Sequence, residues 1–144
     1  MLAAGRAIYW HFLTKKKIDC TYAGIDQIKD FIELAGEKYK AQSNVCFLLG
    51  DFWTSDLGQY DYVLASGALS YRNSDSNFIY KMIAHLFGLS KIAFSFNLME
   101  HFDLKDGNLV AYNKLDILAF CKKLSANVVL KDDYLEGNFT IIMS

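Results

Sequence analysis

The chain has 144 residues, 53% hydrophobic and 22% charged, with a formal net charge of −1 at pH 7. That length suits one domain built on one sizeable core, and the composition excludes a disordered chain. No basic run stands out beyond Lys15-Lys16-Lys17, which reads as a solvated helix end, so nucleic-acid binding has no electrostatic footprint.

Residues 5–16 (GRAIYWHFLTKK) predict a first helix, with Ile8, Phe12 and Leu13 toward one face and Lys15 and Lys16 at its end. Residues 19–25 (DCTYAGI) predict a strand, rich in β-branched and aromatic types. Over 27–40, Ile28, Phe31, Ile32, Ala35 and Tyr39 follow one face of a 3.6-residue period, the pattern of an amphipathic helix. Residues 44–49 (NVCFLL) form a continuous apolar run, which predicts a strand covered on both faces, and 60–66 (YDYVLAS) reads the same way. A helix follows at about 76–87, with Ile79, Met82, Ile83 and Leu86 on one face and Gly88 at its end. Residues 91–97 (KIAFSFN) predict a strand, and the polar stretch 98–112 a long loop. The next helix spans about 114–124, with Asn113 as N-cap and Ile117, Leu118, Cys121 and Leu124 on its inner face. Two closing strands, 126–131 (ANVVLK) and 138–143 (NFTIIM), are joined by a link short enough for an antiparallel hairpin.

Strands alternating with helices through the first two-thirds predict an α/β fold, a mostly parallel sheet with helices on both faces and one reversed strand near its edge. A single domain over residues 1–144 is expected.

Cys20, Cys46 and Cys121 are odd in number and far apart, which speaks against a disulfide framework or a zinc site and fits a reduced compartment. Cys46 and Cys121 fall in apolar runs and read as small core residues. No apolar stretch reaches the roughly 18–20 residues that span a bilayer. The basic start of a signal peptide is missing, so a cytoplasmic protein is expected. Proline is absent, which excludes every motif that requires one.

Two short pieces carry most of the functional information: Tyr22-Ala23-Gly24-Ile25-Asp26 and Leu49-Gly50-Asp51-Phe52. Each is a strand-forming run that ends in an acid where the chain must turn. In open α/β sheets, ligands bind at the carboxyl ends of the strands. Two acids on neighbouring strand ends suit a nucleoside, one for the ribose hydroxyls and one for the edge of the base.

With the strand YDYVLASG at 60–67 and the reversed final hairpin, closed by YLEGNFTIIMS, these pieces resemble the class I S-adenosylmethionine-dependent methyltransferases. The resemblance is to small single-domain bacterial members and runs from about Gly5 to the C-terminus. It implies a Rossmann-like sheet, S-adenosyl-L-methionine as cofactor and a small-molecule acceptor, with no membrane and no nucleic acid involved. The family's first strand normally carries an acid and a GxGxG turn. Here the comparable stretch, Met1 to Ala7, keeps only Gly5, with alanines where the other glycines should be. The first strand is expected to be missing and the fold N-terminally truncated: a fragment of a longer protein, a sheet partly completed by residues 1–5, or one completed by another chain in a homo-oligomer.

The resemblance places the cofactor against Gly5, Asp26, Gln27, Gly50, Asp51, Phe52, Ser66 and Gly67. Asp26 would accept from both ribose hydroxyls, though it is also placed to cap the next helix. Asp51 would accept from the adenine amino group, with Phe52 or Trp53 on the ring; its alternative is a plain surface turn. Gly5 would let the chain approach the methionine part. Ser66 and Gly67 end the fourth strand, where the family faces cofactor and substrate. No NPPY-type motif stands there, against a DNA amino-methyltransferase, and no acid, against a catechol-type magnesium site; no metal is expected. Tyr71 borders this region or packs on the surface. Asn97, Glu100, His101, Asp103 and Tyr112 follow the fifth strand, where acceptor recognition often sits. His101 is the histidine in a plausible base position, its alternative being an exposed loop residue, while His11 and His85 read as ordinary helix residues.

The reading is a SAM-dependent methyltransferase with unassigned catalytic residues, His101 and Tyr71 being the candidates. One alternative is a degenerate or truncated SAM-binding-fold protein without catalysis that serves as a binding or partner module. The other is an NAD-type dehydrogenase fragment, since that fold also sets an acid about 20 residues after its glycines. The GDF piece and the reversed hairpin count against the latter.

Overall fold

The computed structural model describes residues 2–3, 8–100 and 107–144, with side chains from Tyr9 onward. Gly5, His101 and Asp103 lie outside the described residues. The chain divides into two compact units, Met1–Leu57 and Gly58–Ser144.

The first unit contains β1 (Leu2–Ala3), α1 (Ile8–Lys15), β2 (Tyr22–Asp26), α2 (Lys29–Tyr39) and β3 (Val45–Leu49). Its strands run in the order β3-β2-β1 and all are parallel. The first strand, expected to be missing, is represented by two residues: Leu2 pairs with Gly24 and Ala3 with Ile25. The core is aromatic. Trp10 of α1 is buried, and its indole Nε1–H donates to Gln42 Oε1 at 2.6 Å. Its ring lies 5.4 Å from Tyr22, and Phe47 of β3 touches both Tyr22 and Tyr39 at about 6 Å. Such pairs contribute roughly 0.5–1.5 kcal/mol beyond the area they bury. Burial also pushes the Tyr22 hydroxyl pKa well up. On α2, Ala35 and Tyr39 are buried as the periodicity predicts, whereas Ile28 precedes the helix and is half-exposed.

β3 departs from expectation. It was expected to be covered on both faces, yet Cys46, Leu48 and Leu49 are exposed, and Cys46 is not a core residue. Among the described residues the strand pairs only with β2 and forms the edge of the order. An apolar run does not say whether a strand lies at the centre or the edge of its sheet, because that depends on distant segments.

The second unit contains β4 (Tyr60–Ala65), α3 (Phe78–Gly88), β5 (Ser90–Met99), α4 (Lys114–Leu124), β6 (Val128–Lys131) and β7 (Asn138–Met143), with strand order β4-β5-β7-β6. β4 is parallel to β5, and β7 lies antiparallel to both β5 and β6, the reversed hairpin that the sequence predicts. The register aligns Phe94 with Met143, Phe96 with Ile141 and Leu98 with Phe139, and all six are buried. α3 packs on β5 and α4 on β6 and β7. Ile79, Met82, Ile83 and Leu86 of α3 are buried, as are Ile117 and Cys121 of α4. Each fully buried apolar side chain of this size contributes about 1.5–3 kcal/mol.

β4 is not covered on both faces either: Val63 and Ala65 are buried, but Tyr62 is exposed. The predicted loop 98–112 is shorter than expected because Leu98 and Met99 extend β5. Its described end, from Gly107, returns to the segment after β4. Arg72 N–H donates to Asn108 O and Val110 N–H to Ser70 O, both at 2.8 Å, around a bridge between Tyr71 and Leu109.

Candidate functional site

In the first unit, β2 and β3 end side by side. Asp26 lies opposite Leu49, and the Gly50 N–H donates to the Asp26 carbonyl at 2.9 Å, which holds the two chain ends together. Each strand then finishes with the same local device. Asp26 Oδ1 accepts from the Ile28 N–H at 2.9 Å, and Asp51 Oδ1 accepts from the Trp53 N–H at 2.8 Å. An acid that accepts from the amide two residues on closes an Asx turn. The Asp51 carbonyl also accepts from Thr54 and Ser55.

This corrects the capping alternative for Asp26. The residue at the N-cap of α2 is Ile28, and among the described residues no side chain caps that helix. Asp26 instead shapes the turn that leads into it. Each turn uses one carboxylate oxygen, and an ionised carboxylate offers about four lone-pair sites on two oxygens. Asp26, Gly50, Asp51 and Phe52 are half-buried, whereas Gln27 and Trp53 are exposed. An alanine Cβ at Gly50 would come within 2.8 Å of Ser55 Oγ, so the backbone there runs close to the following turn.

In the second unit, β4 ends in exposed Ser66 and Gly67. Gly67 has φ +66° and donates its N–H to Asn97 Oδ1 on β5 at 2.8 Å. The sequence placed Asn97 among acceptor-recognition candidates; in the structure it fixes the turn after β4. An asparagine inside a strand is the signal that could have shown this, since that residue type is depleted in strands. Glu100 is not free for recognition, because it pairs with Lys114 at 3.2 Å. Tyr71 is 61% exposed, a surface position. Tyr112 is half-buried; its hydroxyl pKa is raised by burial, with Tyr80 nearby adding to the shift. Among the described residues no group of three or more His, Cys, Asp or Glu could hold a metal ion.

No protein-family model matches the chain, and no curated protein matches it. Solved structures do. Magnesium protoporphyrin IX methyltransferase from Synechocystis PCC 6803 with bound SAM superposes with a TM-score of 0.73 at 14% identity, over 98% of this chain and 66% of that one. A SAM-dependent methyltransferase from Clostridium acetobutylicum gives 0.74 at 15% identity, over 99% and 81%. The methyltransferase domain of bacterial CtHen1-CN gives 0.72 at 14% identity, over 99% and 87%. The chain thus spans about two thirds of the Synechocystis enzyme and more of the other two. Identities this low speak for architecture alone, and the likeness in architecture extends over nearly the whole chain. The chain has the Rossmann-like fold of the class I SAM-dependent methyltransferases.

Proposed function

We propose that the chain binds S-adenosylmethionine through the strand ends of its first unit and serves methyl transfer to a small-molecule acceptor. The observation that carries this reading is the pair of Asx-turn acids on adjacent strands. The donor chemistry fits. Ribose hydroxyls and an adenine amino group are donors, and Asp26 and Asp51 are acceptors held by backbone amides in fixed orientations. Asp26 would take the ribose, Asp51 the amino group, and Phe52 would pack beside the base, with Gly50 keeping the path between them narrow. Gly5 and Gln27 complete the proposed cofactor contacts of this unit. The similarity to methyltransferases solved with bound SAM and SAH supports this choice of nucleoside.

The cofactor supplies an activated sulfonium methyl group. What the protein must add is alignment and proximity. A base is required only where the acceptor loses a proton, and His101 and Tyr71 remain the proposed candidates for that role. Ser66 and Gly67 form the proposed turn at the end of β4 that faces cofactor and acceptor in the family. We read the whole chain as one methyltransferase-like domain, on the ground that the fold likeness extends over nearly all of it.

The alanines at Ala3 and Ala4, where the family has glycines, favour a second reading: a partner module that keeps the fold without turnover. Calorimetric titration of S-adenosylhomocysteine into the chain separates them. The working reading expects binding that Asp26→Asn weakens at least about tenfold, a loss of roughly 1.4 kcal/mol. Asparagine keeps the Oδ1 acceptor of the turn and removes only the charge, so the fold is preserved. No heat from a folded chain would sink the cofactor reading and leave the partner module.

A further inference from the structure

Away from the strand ends, the second unit carries an open groove of about 660 Å³ between α3 and α4. α4 turns into it a stripe spaced i, i+3, i+4, i+7: Asp116, Ala119, Phe120 and Lys123. These residues face away from the buried Ile117 and Cys121. From α3 come Tyr80, whose ring meets Phe120 at 4.8 Å, and Lys81, which is already paired with Asp75 at 2.6 Å. Asp116 and Lys123 have no ion-pair partner among the described residues. The groove is lined mostly by exposed residues, so it suits a second protein surface better than an enclosed small ligand.

The stripe has a property that points to one occupant. Asp116 and Lys123 stand two turns apart, about 10 Å along the axis, and equally far from the midpoint between Ala119 and Phe120. A copy of α4 laid antiparallel about a two-fold axis at that midpoint meets charge with opposite charge at both ends. Asp116 faces Lys123 of the second copy, and Lys123 faces its Asp116. At the axis the two Phe120 rings come side by side, flanked by Tyr80, and the small Ala119 lets the helices approach. The antiparallel arrangement also sets opposite helix dipoles beside each other. Self-complementarity of this kind is what a two-fold isologous interface requires, because each residue must suit the partner of its own symmetry mate.

We propose that the chain forms a homodimer in which this stripe of α4 packs antiparallel on its own copy. The inference is independent of the cofactor reading. Sedimentation velocity on the full chain, from micromolar to submillimolar concentration, tests it. A concentration-dependent dimer that weakens with salt is expected, since its end contacts are screened ion pairs. Asp116→Lys and Lys123→Asp should each weaken dimerisation about tenfold or more by opposing like charges, and the two together should restore it. Ala119→Arg, at an exposed position that leaves the core untouched, should abolish it. A chain that stays monomeric throughout overturns the proposal and leaves the groove to another partner. So does a dimer indifferent to Ala119→Arg, or a charge swap that fails to rescue while circular dichroism reports a folded protein.

Discussion

Gly50 and Gly67 stand at the ends of β3 and β4 for different physical reasons, and alanine at each separates them. Gly67 has φ +66° with nothing among the described residues within 4 Å of an added Cβ, so the backbone conformation is what makes a side chain costly there. Gly67→Ala should therefore destabilise the chain by about 1–2 kcal/mol, the cost of the left-handed region for an L-residue. At Gly50 the φ is ordinary and the obstacle is Ser55 Oγ at 2.8 Å, the end of a side chain that can rotate away. Gly50→Ala should cost less, below about 1 kcal/mol, and Ser55→Ala in the same chain should remove most of that cost. Urea unfolding of the variants measures both, and a larger loss at Gly50 than at Gly67 would contradict the assignment. The sequence made Asp26 and Asp51 legible as strand-end acids, because an acid after an apolar run marks a turn. It did not reveal that both close the same Asx turn, since Asp26 two residues before Ile28 reads equally well as a cap.

α4 was legible almost in full, while β3 was not, and the contrast is physical. A helix announces itself through local signals: Asn113 accepts from Leu115 and Asp116 N–H at 2.9 and 3.3 Å, and Ile117 and Cys121 recur on one face. Asn113→Ala should lower stability by about 1 kcal/mol, as loss of such a cap does, and thermal melts would show it; an unchanged Tm would mean that the cap is not used. The burial of a strand is set by which distant segments flank it, and VCFLL carries no mark of being an edge. Cys46 and Cys121, which read alike in the sequence, make the point measurable. Cys46 is exposed on β3, whereas Cys121 is fully buried on α4 and its thiol pKa is pushed up to about 12 by burial. A thiol reagent at neutral pH should label Cys46 in the folded chain and reach Cys121 only on unfolding, because the thiolate is the reacting form. Rapid native labelling of Cys121 would refute the packing of α4.

At the scale of the whole molecule, the fold likeness covers nearly the entire chain, and the reversed β7 is the feature that most constrains how the second unit closes. Inserting β7 between β5 and β6 brings three segments far apart in sequence to one end of that unit. Glu100 follows β5, Lys114 opens α4 and Asp132 follows β6, and Lys114 Nζ reaches the two acids at 3.2 and 2.7 Å. None of these residues signalled the cluster in the sequence, because no local pattern links positions so distant. Its pH dependence follows from the shifts. The hydrogen bond and charge of Lys114 hold the Asp132 carboxyl below its ordinary 3.8, and the bonds to Asp132 and then Glu100 raise Lys114 above 10.5. A depressed acid stabilises the fold above its unfolded pKa and loses that contribution as pH falls through its folded value. A raised lysine stabilises fully below its unfolded pKa and loses that contribution as pH rises through its folded value. The cluster therefore acts across the range between about pH 4 and pH 10. Lys114→Met should lower Tm by a few degrees at neutral pH, with less effect in high salt because the groups are partly exposed and screened. The difference from the parent chain should shrink as acid protonates Asp132. A difference that stays constant down to the acid limit would assign the effect of Lys114 to the packing of its aliphatic stem and not to its charge.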